Sequence, residues 1–217
     1  MDEENFKHIK KKFKSEKIRI TNSLTENIDE FVCKKLIEVF ERNPKYQYSG
    51  KVIDGENEKP DYVDADVKKS IDMNMVDVHH PVIDDYFREL HKVLKKYKEK
   101  YPEVDILPYF APTHFKMQKY DLEGHFNSWH FERHGSYSRN RCLVYMTYLN
   151  TVDKGGETYF KYQDIKMKPE IGKTVIWPSD WTHTHKGVSP ESGYKYIATG
   201  WYTHICDHYQ VQTVQHK

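Results

Sequence analysis

The stretch Lys195–Ile205, KYIATGWYTHI, decides how the chain folds. It is dense in β-branched and aromatic residues, which suit a pleated, half-buried strand. Strand alternation puts Lys195, Ile197, Thr199 and Trp201 on one face and Tyr194, Tyr196, Ala198 and Gly200 on the other. Upstream lie kindred runs: THFKMQKY (113–120), RCLVYMTYLN (141–150), GETYFKY (156–162) and KTVIWP (173–178). Gly, Pro, Asp and Asn punctuate them, the texture of a β sandwich or barrel.

Before Tyr101 the texture is different. LTENIDEFVCKKLIEVFERNP (24–44) predicts a helix, with Ile28, Phe31, Val32, Leu36, Val39 and Phe40 at helical spacing and Pro44 as its stop. A charged, Gly-containing loop follows, SGKVIDGENEKPD (49–61). A second helix is expected from about Pro81 to Tyr101, with Ile83, Phe87, Leu90, Leu94 and Tyr97 as its stripe. The chain thus reads as mainly β with N-terminal helices (α+β). Residues 1–104 form a basic leader and supporting helices, packed on a β core at 105–217 in one structural domain.

Among 217 residues, 34 Lys and Arg offset 33 Asp and Glu, a net charge of +1 that argues against nucleic acid or an anionic membrane as partner. The cluster KHIKKKFKSEK (7–17) reads as a solvated leader. No apolar run approaches the roughly 20 residues of a membrane span, and MDEENFKHIK lacks the apolar core of a secretory signal. Cys33, Cys142 and Cys206 are too few and too scattered for a disulfide framework or a cysteine zinc site. A soluble, cytoplasmic protein is expected, monomeric or weakly homo-oligomeric.

The segment NSWHFERHGSYSRNR (127–141) holds His130 and Glu132 two apart. On an extended chain such residues share a face, so both side chains converge on one point. The HFERH within it is not a helical zinc motif, because its glutamate is misplaced and Gly135 and Ser136 disfavour a helix. A third ligand would come from His183 or His185; two histidines and a carboxylate make the facial triad of non-haem iron(II). A surface ion pair is the plain alternative for His130 and Glu132. Lys195 shares an apolar strand face with Ile197 and Trp201 and has no carboxylate beside it, so its partner is either a bound anion or water at the barrel mouth. Cys142, Val144, Met146 and Tyr148 are likewise assigned one face, with the Tyr148 hydroxyl a second donor to such an anion.

These motifs, taken in order, resemble the iron(II)- and 2-oxoglutarate-dependent dioxygenases, and within them the prolyl 4-hydroxylase group. The resemblance runs from Phe115 to Tyr202: KMQKYDLEGHFNSWHFE, RCLVYMTYLN, GGETYF (155–160), then His185, KGVSPESG, Lys195 and TGW. It implies a double-stranded β-helix (jelly-roll) core, with His130, Glu132 and His185 as ligands to Fe(II). His185 is preferred to His183 because the family's distal histidine stands about ten residues before its 2-oxoglutarate-binding basic residue, here Lys195. Tyr148 and Tyr120 would line the cosubstrate pocket and Trp201 would stand beside the metal. Thr199, on the same face as Lys195 and Trp201, is grouped with the cosubstrate contacts. GGET is expected to be a structural turn. The group usually carries Asp where Glu132 stands.

The implied reaction consumes O2 and 2-oxoglutarate, releases succinate and CO2, and hydroxylates an unactivated C–H, with ascorbate an optional accessory. Peptidyl proline is the substrate the resemblance favours, ahead of a free amino acid or another small molecule. Arg133 to Arg141, with Trp129 and Trp181, are candidates for a peptide groove. A cupin-like metal enzyme, which would have no use for Lys195, and a non-enzymatic binding module are the rival readings.

Overall fold

The structure, a computed structural model, describes residues 24–54, 59–106 and 109–204. The strands are β1 (Leu24–Asn27), β2 (Gln47–Ser49), β3 (Val52–Asp54), β4 (Lys59–Tyr62), β5 (Lys68–Lys69), β6 (Ile71–Asn74), β7 (Tyr109–Tyr120), β8 (His125–His130), β9 (Arg141–Tyr148), β10 (Thr158–Phe160), β11 (Ile165–Met167), β12 (Lys173–Pro178), β13 (His185–Gly187) and β14 (Lys195–His204). Seven form one sheet, in the order β1-β12-β9-β14-β7-β6-β2. Five form a second, β11-β10-β13-β8-β5, and β3 pairs with β4 alone. Every pairing is antiparallel. This is the expected jelly roll.

Alternation along the large sheet separates two cores. The outward residues Met117, Leu143, Tyr145, Ile176, Tyr196, Ala198 and Tyr202 meet helices α1 (Glu30–Arg42) and α2 (Pro81–Lys100). The inward set, Tyr120, Val144, Met146, Tyr148, Val175, Trp177, Ile197 and Trp201, faces the small sheet through Phe160 and Phe126. Between helix and sheet, the buried Tyr86 and Thr147 hydroxyls are 3.0 Å apart, and Thr147 is 2.8 Å from Thr174.

Four expectations are corrected. The first helix begins only at Glu30, where the Asp29 carboxylate accepts the Phe31 N–H at 2.6 Å. Residues 24–27 instead pair with β12, whose edge offers open backbone groups. Phe31, assigned to the buried stripe, is 64% exposed because it follows the cap on the solvent side. The stretch read as a loop at 49–61 contains the β3–β4 pair. Strands also come from before residue 105: β1, β2 and β6 lie in the large sheet and β5 in the small one. The second helix runs over Pro81–Lys100 as expected, with the His80 ring accepting the Val82 N–H at 3.2 Å. No helix among the described residues is long and apolar enough to cross a membrane. The basic cluster at 7–17 and Cys206 lie outside the described residues.

Candidate active site

His130 and His185 face each other across the β8–β13 pairing, so the register itself brings the two rings together, with centroids 4.4 Å apart. Glu132 lies just past the end of β8. The N–H groups of Glu132 and Arg133 both donate to the Ser179 carbonyl at 3.0 Å, which folds the carboxylate back towards the rings. Its Oε1 is 3.7 Å from Nε2 of each histidine, too long for a hydrogen bond. Ligand atoms from the three residues lie within 4.8 Å of one another, the only such group of three or more among the described residues. His183 is not part of it; the buried ring has Nδ1 3.0 Å from the Thr182 hydroxyl.

The imidazoles are held in the form a cation needs. Nδ1 of His130 is 2.9 Å from the Ser128 carbonyl, and Nδ1 of His185 is 2.9 Å from the His183 carbonyl. A carbonyl can only accept, so each Nδ1 carries the proton and each Nε2 keeps its lone pair for the centre. Removal from water, then the neighbouring His185, pushes the pKa of His130 down to about 3. Burial lowers His185 as well, so both rings are neutral near pH 7. Burial alone would raise the Glu132 pKa, but His130, Arg141, His185 and Trp201 outweigh it and hold the carboxyl below its ordinary value. Two neutral imidazoles and one carboxylate suit a divalent first-row metal such as Fe(II).

The other carboxylate oxygen is engaged by protein. Trp201 Nε1 donates to Glu132 Oε2 at 2.9 Å, and Arg141 donates to the same oxygen at 3.2 Å and to the Glu132 carbonyl at 3.0 Å. The Arg141 guanidinium lies 3.7 Å over the Trp201 ring. A bulge makes this possible. Opposite Tyr202 and Thr203 of β14 stand Leu143 and Arg141, so Cys142 is the extra residue. Regular alternation would give Arg141 the outward face of Leu143; the bulge turns it inward and Cys142 outward, against the helix-side core. Cys142 therefore does not share a face with Val144 and Met146, as the alternation had suggested.

A cavity of about 700 Å³ opens beside these residues. Lys195, Tyr120, Thr199 and Trp201 line it. Lys195 is buried, and its ammonium donates to the carbonyls of Gly156 at 3.2 Å and Val188 at 3.4 Å and lies 4.6 Å over the Tyr120 ring. Burial brings its pKa down to about 8, with Glu157 opposing. Tyr120 donates to Gln118 at 2.9 Å, and Thr199 donates to the Tyr145 carbonyl at 2.9 Å. Tyr148 does not line the cavity. Its hydroxyl is 2.7 Å from Thr158 Oγ1 and 3.0 Å from the Met167 carbonyl, and it accepts the Thr158 N–H at 3.1 Å. Thr158, which the sequence reading passed over, reaches the cavity wall in its place. GGET supplies the turn that carries both Thr158 and the Gly156 carbonyl under Lys195; Gly155 and Gly156 have φ of 69° and 75°. A single helical turn forms at Gly135–Ser138, after His134, so HFERH is not on a helix.

Residues 115–203 match the family described as the 2OG-Fe(II) oxygenase superfamily. Prolyl 4-hydroxylase 13 of Arabidopsis thaliana is 26% identical over 126 residues, covering 48% of this chain and 43% of that protein, so the match spans less than half of the relative's length. Among solved structures, a prolyl hydroxylase from Trichoplax adhaerens, in complex with a hypoxia inducible factor oxygen degradation domain peptide fragment, superposes with a TM-score of 0.66 at 11% identity, over 94% of each chain. The viral collagen prolyl hydroxylase of Paramecium Bursaria Chlorella virus-1 gives 0.60 at 16% identity, over 85% of this chain and 97% of that one. At such identities the structures speak for the fold, and the sequence match is a similarity confined to residues 115–203. Residues 115–203 are therefore similar to the 2OG-Fe(II) oxygenase superfamily, and the fold is like that of the prolyl hydroxylase structures.

Proposed function

We propose that the protein is an Fe(II)- and 2-oxoglutarate-dependent dioxygenase that hydroxylates an unactivated C–H, with peptidyl proline as the substrate. The observation that carries this is the pairing of a His130–Glu132–His185 centre with a buried lysine on one cavity wall. His130, Glu132 and His185 would hold the iron on one side and leave its other positions open. Iron and 2-oxoglutarate together supply the oxidising chemistry, with O2 consumed and succinate and CO2 released.

The protein's own contribution is binding and shelter. Lys195 would take the far carboxylate of 2-oxoglutarate; charge-assisted contacts of this kind are worth ~1.5–3 kcal/mol. Burial makes an unpaired ammonium costly, and an incoming carboxylate removes that cost. Val144, Met146, Trp177 and Ile197 give the pocket a dry apolar floor. The proline reading draws support from the relatives, which are named prolyl hydroxylases, one of them solved with a peptide.

Anaerobic titration of the metal-free protein with Fe(II) and then 2-oxoglutarate tests the reading. A visible metal-to-ligand charge-transfer band that requires both, and weakens in Lys195→Ala while iron still binds, is the expected result. Iron binding with no effect of 2-oxoglutarate would count against it and favour a cupin-like metal enzyme.

A further inference from the structure

The outer face of the small sheet carries a pattern that the cavity does not use. Alternation sends His130, His185 and Thr158 to the cavity, so Trp129, Lys186 and Tyr159 stand on the opposite face. The register sets them in a row with Lys166 of β11. Lys166 pairs with Tyr159, Tyr159 pairs with Lys186, and the Lys186 ammonium lies 4.8 Å over the Trp129 ring. The Lys166 ammonium lies 5.3 Å over Tyr159. Ammonium and ring thus alternate across four strands, at a spacing of about 4.8 Å. Lys161, just past β10, widens the row: its ammonium is 5.7 Å from the rings of both Trp129 and Tyr162. Tyr162 in turn meets Trp181, with ring centroids 6.4 Å apart.

This surface differs from an ordinary solvated face in two ways. Tyr162 and Trp181 are 61% and 63% exposed, so large rings stand in contact with water and with each other. The three ammoniums rest on rings, which fix their positions but carry no net charge to cancel theirs. Nearby carboxylates are engaged elsewhere: Asp164 accepts the Tyr159 hydroxyl at 2.8 Å, and Asp180 pairs with Arg133 at 2.6 Å. No carboxylate among the described residues lies within 4.0 Å of the Lys161, Lys166 or Lys186 ammonium.

Trp129 belongs both to this strip and to the cavity wall, so the strip is continuous with the mouth of the site. A polypeptide with one residue in the cavity leads its flanking residues out past Trp129 on to this face. At about 3.3 Å per residue, four or five extended residues cover the three strand spacings from Trp129 to Lys166. We propose that the outer face of the small sheet docks an acidic segment of the polypeptide substrate, flanking the residue that is oxidised. The inference rests on the proposed function and names the character of the substrate beyond the site. Rings and cations also suit a single-stranded nucleic acid. A net charge of +1, however, gives the molecule no long-range attraction for a polyphosphate.

The test uses the full chain loaded with Zn(II) in place of iron and with 2-oxoglutarate, so that nothing turns over. Calorimetry compares a proline peptide extended on either side by alternating Glu and Leu, its Gln counterpart, and the Glu extension alone. The Glu-tailed peptide is expected to bind about tenfold more tightly than the Gln-tailed one, by a margin that shrinks as salt is raised. Lys166→Glu with Lys186→Glu should abolish that margin, and Tyr162→Ala with Trp181→Ala should weaken both tailed peptides; thermal melts confirm folding. Equal affinity for the Glu and Gln peptides, or a margin that survives in the folded lysine double variant, overturns the proposal. So does an oligouridylate that binds more tightly than the Glu-tailed peptide and loses that affinity in the same variant. Failure of the wild type to take up 2-oxoglutarate would instead bring down the function beneath the proposal. The Glu extension alone needs no metal and still reports whether this face binds an acidic chain.

Discussion

At the scale of single residues, the informative departure is Glu132, where the resembled group carries aspartate. The structure gives the extra methylene a purpose: one carboxylate oxygen reaches Trp201 and Arg141 while the other faces both histidines. Asp at this position has too short an arm to do both. Glu132→Asp should therefore lose metal affinity by about 10- to 100-fold, the scale of losses when such outer partners are disturbed. Competition titration against a chelator reads this directly, and unchanged affinity would refute the two-sided role. His130, Glu132 and Lys195 were legible in the sequence because alternation and the cost of a buried ammonium are local rules. Arg141 was not, because a bulge cancels the alternation that would place it on the far side. Nor was Thr158, whose place on the wall depends on Tyr148 being tied elsewhere.

At the scale of elements, the Gly155–Gly156 turn does more than connect strands. A Cβ on Gly155 would stand 2.3 Å from the Ser189 carbonyl, and its φ of 69° is one that side chains rarely adopt. Its neighbour Gly156 supplies the carbonyl that receives the Lys195 ammonium. Gly155→Ala is expected to cost about 1–3 kcal/mol of stability, and to weaken 2-oxoglutarate binding in the protein that still folds. Denaturant melts and a 2-oxoglutarate titration check the two effects; a stable variant with wild-type binding would show the turn to be dispensable. Strands β7, β9, β10, β12 and β14 and the helix at Pro81 followed from composition and periodicity. The short strands before it did not, since β1, β5 and β6 are at most four residues long and owe their form to the sheets they join. Four residues such as LTEN carry no pattern that outweighs a neighbouring helix.

At the scale of the whole molecule, the burial of Lys195 has a thermodynamic signature. The folded pKa is about 8, below the unfolded lysine's ordinary value near 10.4. Between these limits the unfolded chain holds a proton that the folded chain has released, so this group makes stability rise with pH across the window. The metal-free, cosubstrate-free protein should accordingly gain stability relative to Lys195→Met as pH increases from 8 towards 10. Saturating 2-oxoglutarate should flatten the difference by keeping the ammonium charged. Parallel melts across pH would expose a flat difference if the lysine were solvated instead. The large sheet also separates the two described thiols from the cavity. Cys33 and Cys142 lie on the helix side, with burial raising their thiol pKa values to about 12 and about 11, so the reactive thiolate is scarce. Met146 stands on the cavity side. Under the proposed function, an oxidant formed with no substrate to receive it would have the Met146 thioether on its side of the sheet, whose damage reductases can undo, while Cys33 and Cys142 sit behind a wall of backbone.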